Sequence, residues 1–249
     1  MEIKSNCVCV LCGNNGYKVI YKIKESVFGK EYFKIVKCSK CGLVYTIPQP
    51  LQENIGKYYP DDYYSFIPYY PIPFLPAENK NIFKKIKNFI KKCVLKEIYG
   101  YPFNNCSSSF IFNFFSKYLA KMFKFQIGWV FPEYIKSGKV LDVGCGSGIF
   151  LSKLKELGYE TYGIELNKKA VQWARDMLGL NVFSGTLLNN RFPSEFFDIV
   201  NFSHVFEHLH DPIETLQEVY RILKFGGVVM IDIPNNESLE RRIFGERIL

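Results

Sequence analysis

The stretch Val140-Leu141-Asp142-Val143-Gly144-Cys145-Gly146-Ser147-Gly148 decides the fold. Three of its first four residues are apolar and two are β-branched, the composition of a buried strand. Glycine then recurs at 144, 146 and 148, where the chain must turn tightly or let a ligand approach its backbone. From Ile149 to Leu157 the apolar spacing is helical. Strand, glycine turn and helix together form the opening of a βαβ unit, whose helix N-terminus offers free N–H groups to a ligand. The glycine spacing excludes a dinucleotide fingerprint. Counting from Gly144 the third glycine of G-x-G-x-x-G falls on Ile149, counting from Gly146 it falls on Leu151, and no Walker lysine follows.

Working outward, residues 138–233 alternate short β-branched runs with helical patterns. Strands are expected at Lys139–Val143, Glu160–Glu165, Asn181–Phe183, Phe197–Phe202 and Val228–Ile233, and helices at Ile149–Leu157, Lys168–Leu178 and Pro212–Leu223. Gly158, Gly179 and Gly226 fall just past the helical runs, where a left-handed residue closes a helix. Asp211-Pro212 reads as an N-cap followed by proline at the first helical position. The expected class is α/β, a Rossmann-like, doubly wound, mostly parallel sheet. Asp142 beside the turn would repel a pyrophosphate and favour a cofactor with a cationic amino-acid end. S-adenosylmethionine, with its ammonium and sulfonium, fits. Glu165 closes the next strand 21 residues after Gly144, where an acid can accept both hydroxyls of a ribose.

The front of the chain carries a different signal. Cys9-Val10-Leu11-Cys12 and Cys38-Ser39-Lys40-Cys41 share one spacing, and each is followed by glycine. Two such turns present four thiolates to one tetrahedral zinc, whose binding can stabilise a segment too small to fold alone. Val19, Ile20, Phe33, Ile35 and Val36 alternate enough for two short strands between the pairs, so residues 7–47 read as a zinc ribbon. Cys7 is a substitute ligand at a less suitable spacing; Cys93, Cys106 and Cys145 read as ordinary thiols. The N-terminus MEIKSNCVC has no apolar run for a secretion signal, which points to the reducing cytoplasm, where paired cysteines are metal ligands more often than disulfides.

Residues 48–137 are rich in Tyr, Phe, Pro and Lys and read as an aromatic, basic, helical connector or lid. Phe83, Ile86, Phe89, Ile90 and Val94 fall at helical spacing among Lys84, Lys85, Lys87, Lys91 and Lys92. That pattern fits a helix packed on the catalytic domain over its substrate, or an amphipathic helix on a membrane surface. Hydrophobic residues are 48% and charged residues 22%, which excludes a disordered chain, and no repeat or solid apolar span is present. The net charge of +8 is uneven: residues 1–137 hold 20 lysines, no arginine and 9 acids. Such a front half could attract nucleic acid, an anionic membrane or a phosphorylated substrate. The missing arginines argue against specific base reading.

Residues 138–236 resemble the class I S-adenosylmethionine-dependent methyltransferases through LDVGCGSG at 141–148, GIEL at 163–166, FDIV at 197–200, HVFEHLHDP at 204–212 and EVYRILKFGGVVMIDIPN at 218–235. CSKCGLVYTIPQP at 38–50 and YYPDDYY at 58–64 resemble the zinc-binding region that precedes some of these enzymes, a group associated with sugar, polysaccharide or secondary-metabolite methylation. The resemblance implies that Asp142, Gly144, Cys145 and Gly146 line the methionine end of the cofactor and that Glu165 binds its ribose. It places Leu166, Thr186 and Leu187 near the adenine, with Phe202, Ser203 and His204 facing the methyl. The catalytic domain would run over 138–249. The family adds two strands beyond the fifth, and NESLERRIFGERIL at 236–249 is too short and charged for both, so an exposed sheet edge is expected.

His204, Glu207 and His208 are the catalytic candidates, with the two histidines at i, i+4. One of them could be the general base, Glu207 and His208 could hold a divalent metal, or the group could shape the pocket as helix-entry residues. The expected activity is methyl transfer to a small-molecule or carbohydrate-type acceptor. The alternatives are a zinc-ribbon nucleic-acid-binding protein, an RNA methyltransferase, or a truncated cofactor-binding remnant without turnover.

Overall fold

The computed structural model describes residues 3–4, 8–24, 32–51, 54–55, 82–103, 110–123, 130–235 and 238–239. Cys7, Cys106, the YYPDDYY run at 58–64 and nearly all of 236–249 lie outside the described residues.

The front strands are β1 (Ile3–Lys4), β2 (Tyr17–Lys24), β3 (Tyr32–Cys38), β4 (Val44–Ile47) and β5 (Gln49–Pro50). β2, β3 and β4 form an antiparallel sheet with β3 central, and β5 pairs with β1. The two strands expected between the cysteine pairs are present, and β4 is a third, built on the β-branched Val44 and Ile47 and the aromatic Tyr45 just past the second pair.

Two helices follow, α1 (Ile82–Tyr99) and α2 (Phe110–Phe123). The first was expected; the second was not, because its first half, Phe110 to Ser116, is aromatic and holds no strong helix former. Packing carries it. Ala120 of α2 joins Val94 and Leu95 of α1 in a core with Tyr101, Phe131 and Tyr159.

The third part is one parallel sheet: β6 (Lys139–Val143), β7 (Glu160–Glu165), β8 (Asn181–Ser184), β9 (Phe197–Ser203) and β10 (Leu223–Asp232), in the order β10-β9-β6-β7-β8. Between them run α3 (Ile149–Glu156), α4 (Lys168–Leu178) and α5 (Pro212–Ile222). The period of two decides which core each strand residue enters. Val140 and Ile199 face the aromatic core with α1, α2 and the α3 residues Phe150 and Leu154. Their neighbours Leu141, Val143, Val200 and Phe202 face the opposite core with Val219 and Ile222 of α5. The buried half of α1 is therefore a core layer against α3 and one sheet face.

Three local expectations are corrected. Gly226 does not close α5: that helix ends on an extended Leu223, and Gly226 has φ +76 inside β10, where the register slips between Leu223 and Val228. Asp211 is the N-cap residue of α5 but caps it with its carbonyl alone, accepting from Thr215 N and Oγ1, each at 2.9 Å. His204 to His208 is no α-helix; Phe206–His208 is a single 3-10 turn, and His204 precedes it with φ +54. Among the described residues β10 pairs only with β9, leaving Val228 and Ile231 substantially exposed along the sheet edge.

Candidate active site

The strand order reverses between β6 and β9, and in an open parallel sheet the crevice at that switch lies past the carboxyl ends of the strands. The glycine turn after β6 sits there. Gly144 N and Cys145 N both donate to Ile164 O of β7, at 2.8 and 3.1 Å, folding the turn over the end of the neighbouring strand. Gly144 has φ +75, and a Cβ on it would lie 2.3 Å from Val205 Cγ2, so only glycine fits both the backbone and the space. Cys145 contributes backbone; its Sγ fills the space a Cβ on Gly163 would take.

Two carboxyl groups converge beneath this turn. Asp142 Oδ1 accepts from Asn201 Nδ2 at 2.7 Å, and the two residues are cross-strand partners in β6 and β9. Burial pushes the Asp142 carboxyl up to about 7 against the lowering effect of Asn201, and the nearby Glu165 raises it further. Glu165 is buried too. Its Oε2 accepts from Gly146 N at 2.9 Å and its Oε1 from Asn167 N at 2.8 Å. Burial raises its pKa, opposed by the N–H groups of Asn167, Gly146 and Leu166. Each oxygen keeps a second lone pair for a ligand hydroxyl. Asn201 was missed by the sequence reading, although a lone amide inside the apolar strand Phe197-Asp198-Ile199-Val200-Asn201-Phe202 was a signal.

The remaining cofactor candidates divide by burial. Leu166 is exposed beside Glu165, and Thr186 is half-buried with its Oγ1 2.6 Å from Asn189 Oδ1. Leu187 and Phe202 are buried in the α5-side core, so a ligand could meet only their backbone. Ser203 is half-buried at the end of β9.

Glu207 stands between two imidazoles. Its Oε1 is 3.9 Å from His204 Nδ1 and 3.9 Å from His208 Nε2, while His204 Nε2 is 3.8 Å from Asp232 Oδ2 at the end of β10. Partial burial lowers the pKa of His208, helped by His204 and opposed by Glu207, which keeps the ring neutral at pH 7. His210, absent from the catalytic candidates, reaches across the chain: its Nε2 is 2.7 Å from Pro50 O in β5.

At the front, the Sγ atoms of Cys9, Cys12, Cys38 and Cys41 all lie within 4.8 Å of one another. Cys9–Cys41 and Cys12–Cys38 are 3.5 and 3.6 Å apart, near the ~3.8 Å edge of a tetrahedron with Zn–S bonds of about 2.3 Å. The N–H groups of Cys41 and Lys40 and the Asn14 amide lower the Cys38 thiol to about 6, against its burial. At Cys41 the Leu43 N–H lowers the value, but burial and the three neighbouring thiols outweigh it and push it up to about 12. Four crowded thiols of this kind ionise together only around a cation. Among the described residues the ligating atoms of Glu207 and His208 form no comparable convergence.

Against known proteins, the chain is 32% identical over 120 residues to a ubiquinone biosynthesis O-methyltransferase of Nitrosospira multiformis, covering 44% of this chain and 49% of that protein. It is 31% identical over 121 residues to the protein of the same name from Thiobacillus denitrificans, covering 45% and 52%. The chain spans about half the length of the curated relatives it matches. Among solved structures, a SAM-dependent methyltransferase from Thermotoga maritima, described as a possible histamine N-methyltransferase, aligns at 31% identity with a TM-score of 0.38, over 44% of this chain and 51% of that one. A family model described as a methyltransferase domain matches residues 111–246, more than half of the sequence, and the chain therefore belongs to the methyltransferase-domain family.

Proposed function

We propose that the crevice past β6 and β7 binds S-adenosylmethionine and that the chain methylates a small-molecule or carbohydrate-type acceptor. The observation that carries this reading is the pair of buried carboxyl groups, Asp142 and Glu165, held under a glycine turn at the carboxyl ends of β6 and β7. Their mutual repulsion is relieved by a ligand bringing a cation to Asp142 and hydroxyl donors to Glu165. When bound, the cofactor supplies an electrophilic methyl on a sulfonium. A neutral His208 is suited to take the proton from an acceptor hydroxyl, and Glu207 beside it stabilises the resulting imidazolium. Because partial burial sets the His208 pKa below its ordinary value, the base is lost only at acid pH, so activity falls as pH drops through that lowered pKa. The names of the curated relatives support an oxygen acceptor on a small molecule. We assign a structural zinc to Cys9, Cys12, Cys38 and Cys41, where it ties the turn after β1 to the turn after β3.

The test is calorimetry with S-adenosylhomocysteine and NAD, followed by transfer of labelled methyl onto small hydroxylated and carbohydrate acceptors. S-adenosylhomocysteine should bind and NAD should not; tighter binding of NAD would overturn the assignment.

A further inference from the structure

Helix α1 carries one apolar stripe with two fates. Over its second half the stripe is core: Cys93 and Val94 are fully buried and Ile90 packs against them. Over its first two turns the same stripe is open to solvent, with Ile82 61%, Phe83 78% and Ile86 49% exposed. Exposed apolar residues continuing a buried face carry a solubility cost that docking on an apolar phase relieves.

The charge around the stripe identifies the partner. Residues 82–123, which span α1 and α2, contain eight lysines, no arginine and a single acid, Glu97. That acid is turned inward, its Oε1 accepting from the buried Ser116 Oγ of α2 at 3.0 Å. Lys85 and Lys87 flank the exposed stripe, and Lys117 and Lys121 are exposed on α2. The lysines also crowd one another. Burial and Lys87 lower the pKa of Lys91, and burial and Lys91 lower that of Lys153 on α3 to about 8.

We propose that the first turns of α1, backed by α2, are a docking surface for an anionic lipid bilayer. Ile82, Phe83 and Ile86 enter the boundary between headgroups and acyl chains, and the lysines meet the anionic headgroups. A nucleic acid would use the lysines but has no place for an aliphatic tip, and the helix pair lacks the arginine that reads bases. The contact is peripheral. Among the described residues no helix is long and apolar enough to cross a membrane.

The experiment is co-sedimentation of the full chain with vesicles of phosphatidylcholine alone or with one third phosphatidylglycerol. Binding is expected to the anionic vesicles only, weakening at least tenfold between 50 and 300 mM salt. K85E/K87E should reduce binding at least tenfold, since one lysine near such a surface is worth roughly fivefold in partitioning. I82S/I86S should also weaken binding about tenfold with no change in charge. Both variants change exposed positions, so thermal unfolding and S-adenosylhomocysteine binding should match the parent. Equal binding to neutral vesicles, a charge reversal within twofold of the parent, or an unaffected I82S/I86S would overturn the proposal. Tighter binding to duplex DNA or RNA than to anionic vesicles would overturn it as well.

Discussion

Glu165 does two jobs with one carboxylate. Both oxygens are engaged before any ligand arrives, one on the glycine turn and one on the first turn of α4. Glu165→Ala should therefore lower unfolding stability by about 1–3 kcal/mol in denaturant titration, because it orphans the buried Gly146 N–H, in addition to weakening S-adenosylhomocysteine binding 30-fold or more in calorimetry. Glu165→Gln should fall between, since an amide oxygen still accepts one N–H while its nitrogen meets the other donor. The sequence spacing placed this acid at a strand end, where it suits the hydroxyls of a ribose. Spacing says nothing of what a side chain holds, and the backbone partners become visible only once the turn is folded. Asp142 carries the pH dependence. Burial lifts its folded pKa from the ordinary 3.8 to about 7, so between those pH values the folded form keeps a proton the unfolded chain releases. Ligand-free stability should thus decline as pH rises from about 4 to about 7, by roughly 4 kcal/mol at most. Asp142→Asn should flatten most of that slope in pH-dependent denaturation, with the smaller share of Glu165 remaining. A ligand with a cationic end prefers the ionised carboxylate, so its affinity should climb with pH over the same interval.

The parallel strands and α4 were legible because each pairs a clear pattern with clear punctuation: between its two glutamates β7 holds the β-branched Thr161 and Ile164 and the aromatic Tyr162, and Asn167 and Gly179 bracket α4 with a side-chain cap and a left-handed stop. Helix α2 was opaque because Phe, Asn and Ser carry no helical preference, and tertiary packing overrides such residues. The 3-10 turn at 206–208 misled for another reason. An i, i+4 histidine spacing looks helical, yet His204 takes a left-handed backbone as β9 hands over to the turn, with its N–H donating to Asp232 O at 2.8 Å. At the glycine turn, Gly144→Ala should cost at least 2 kcal/mol in thermal or chemical unfolding, combining the positive φ with the 2.3 Å clash on Val205. Adding Val205→Ala should recover the steric part and leave the backbone part. In the front sheet, metal analysis under reducing conditions should find about one zinc per chain. Cys41→Ser should abolish it and loosen β3 and β4 in hydrogen exchange while β6 to β9 keep their protection.

At the scale of the molecule, the bond between His210 Nε2 and Pro50 O joins residues 160 positions apart. Pro50 follows β4, whose partner β3 ends at Cys38 of the thiol cluster, while His210 lies two residues past His208. His210→Ala should raise the acceptor KM several-fold more than it lowers cofactor affinity, and should increase hydrogen exchange at residues 205–210 without altering the zinc content. A carbonyl oxygen only accepts, so in this bond Nε2 of His210 is the nitrogen that carries the proton. Sequence showed three neighbouring histidines but could not separate their duties, since the partner of His210 comes from the opposite end of the chain.

That bond has a consequence for recombining such enzymes. A chimera that takes residues 1–55 from one relative and the parallel sheet from another inherits a carbonyl at position 50 in every case, but a donor at position 210 only if the second parent supplies one. Crossovers drawn at the apparent boundary near residue 130 would separate the two halves of the bond, and hybrids whose second parent lacks a donor at position 210 would lose it. Residue 210 therefore travels, for the purposes of design, with the segment it grips rather than with the sequence around it.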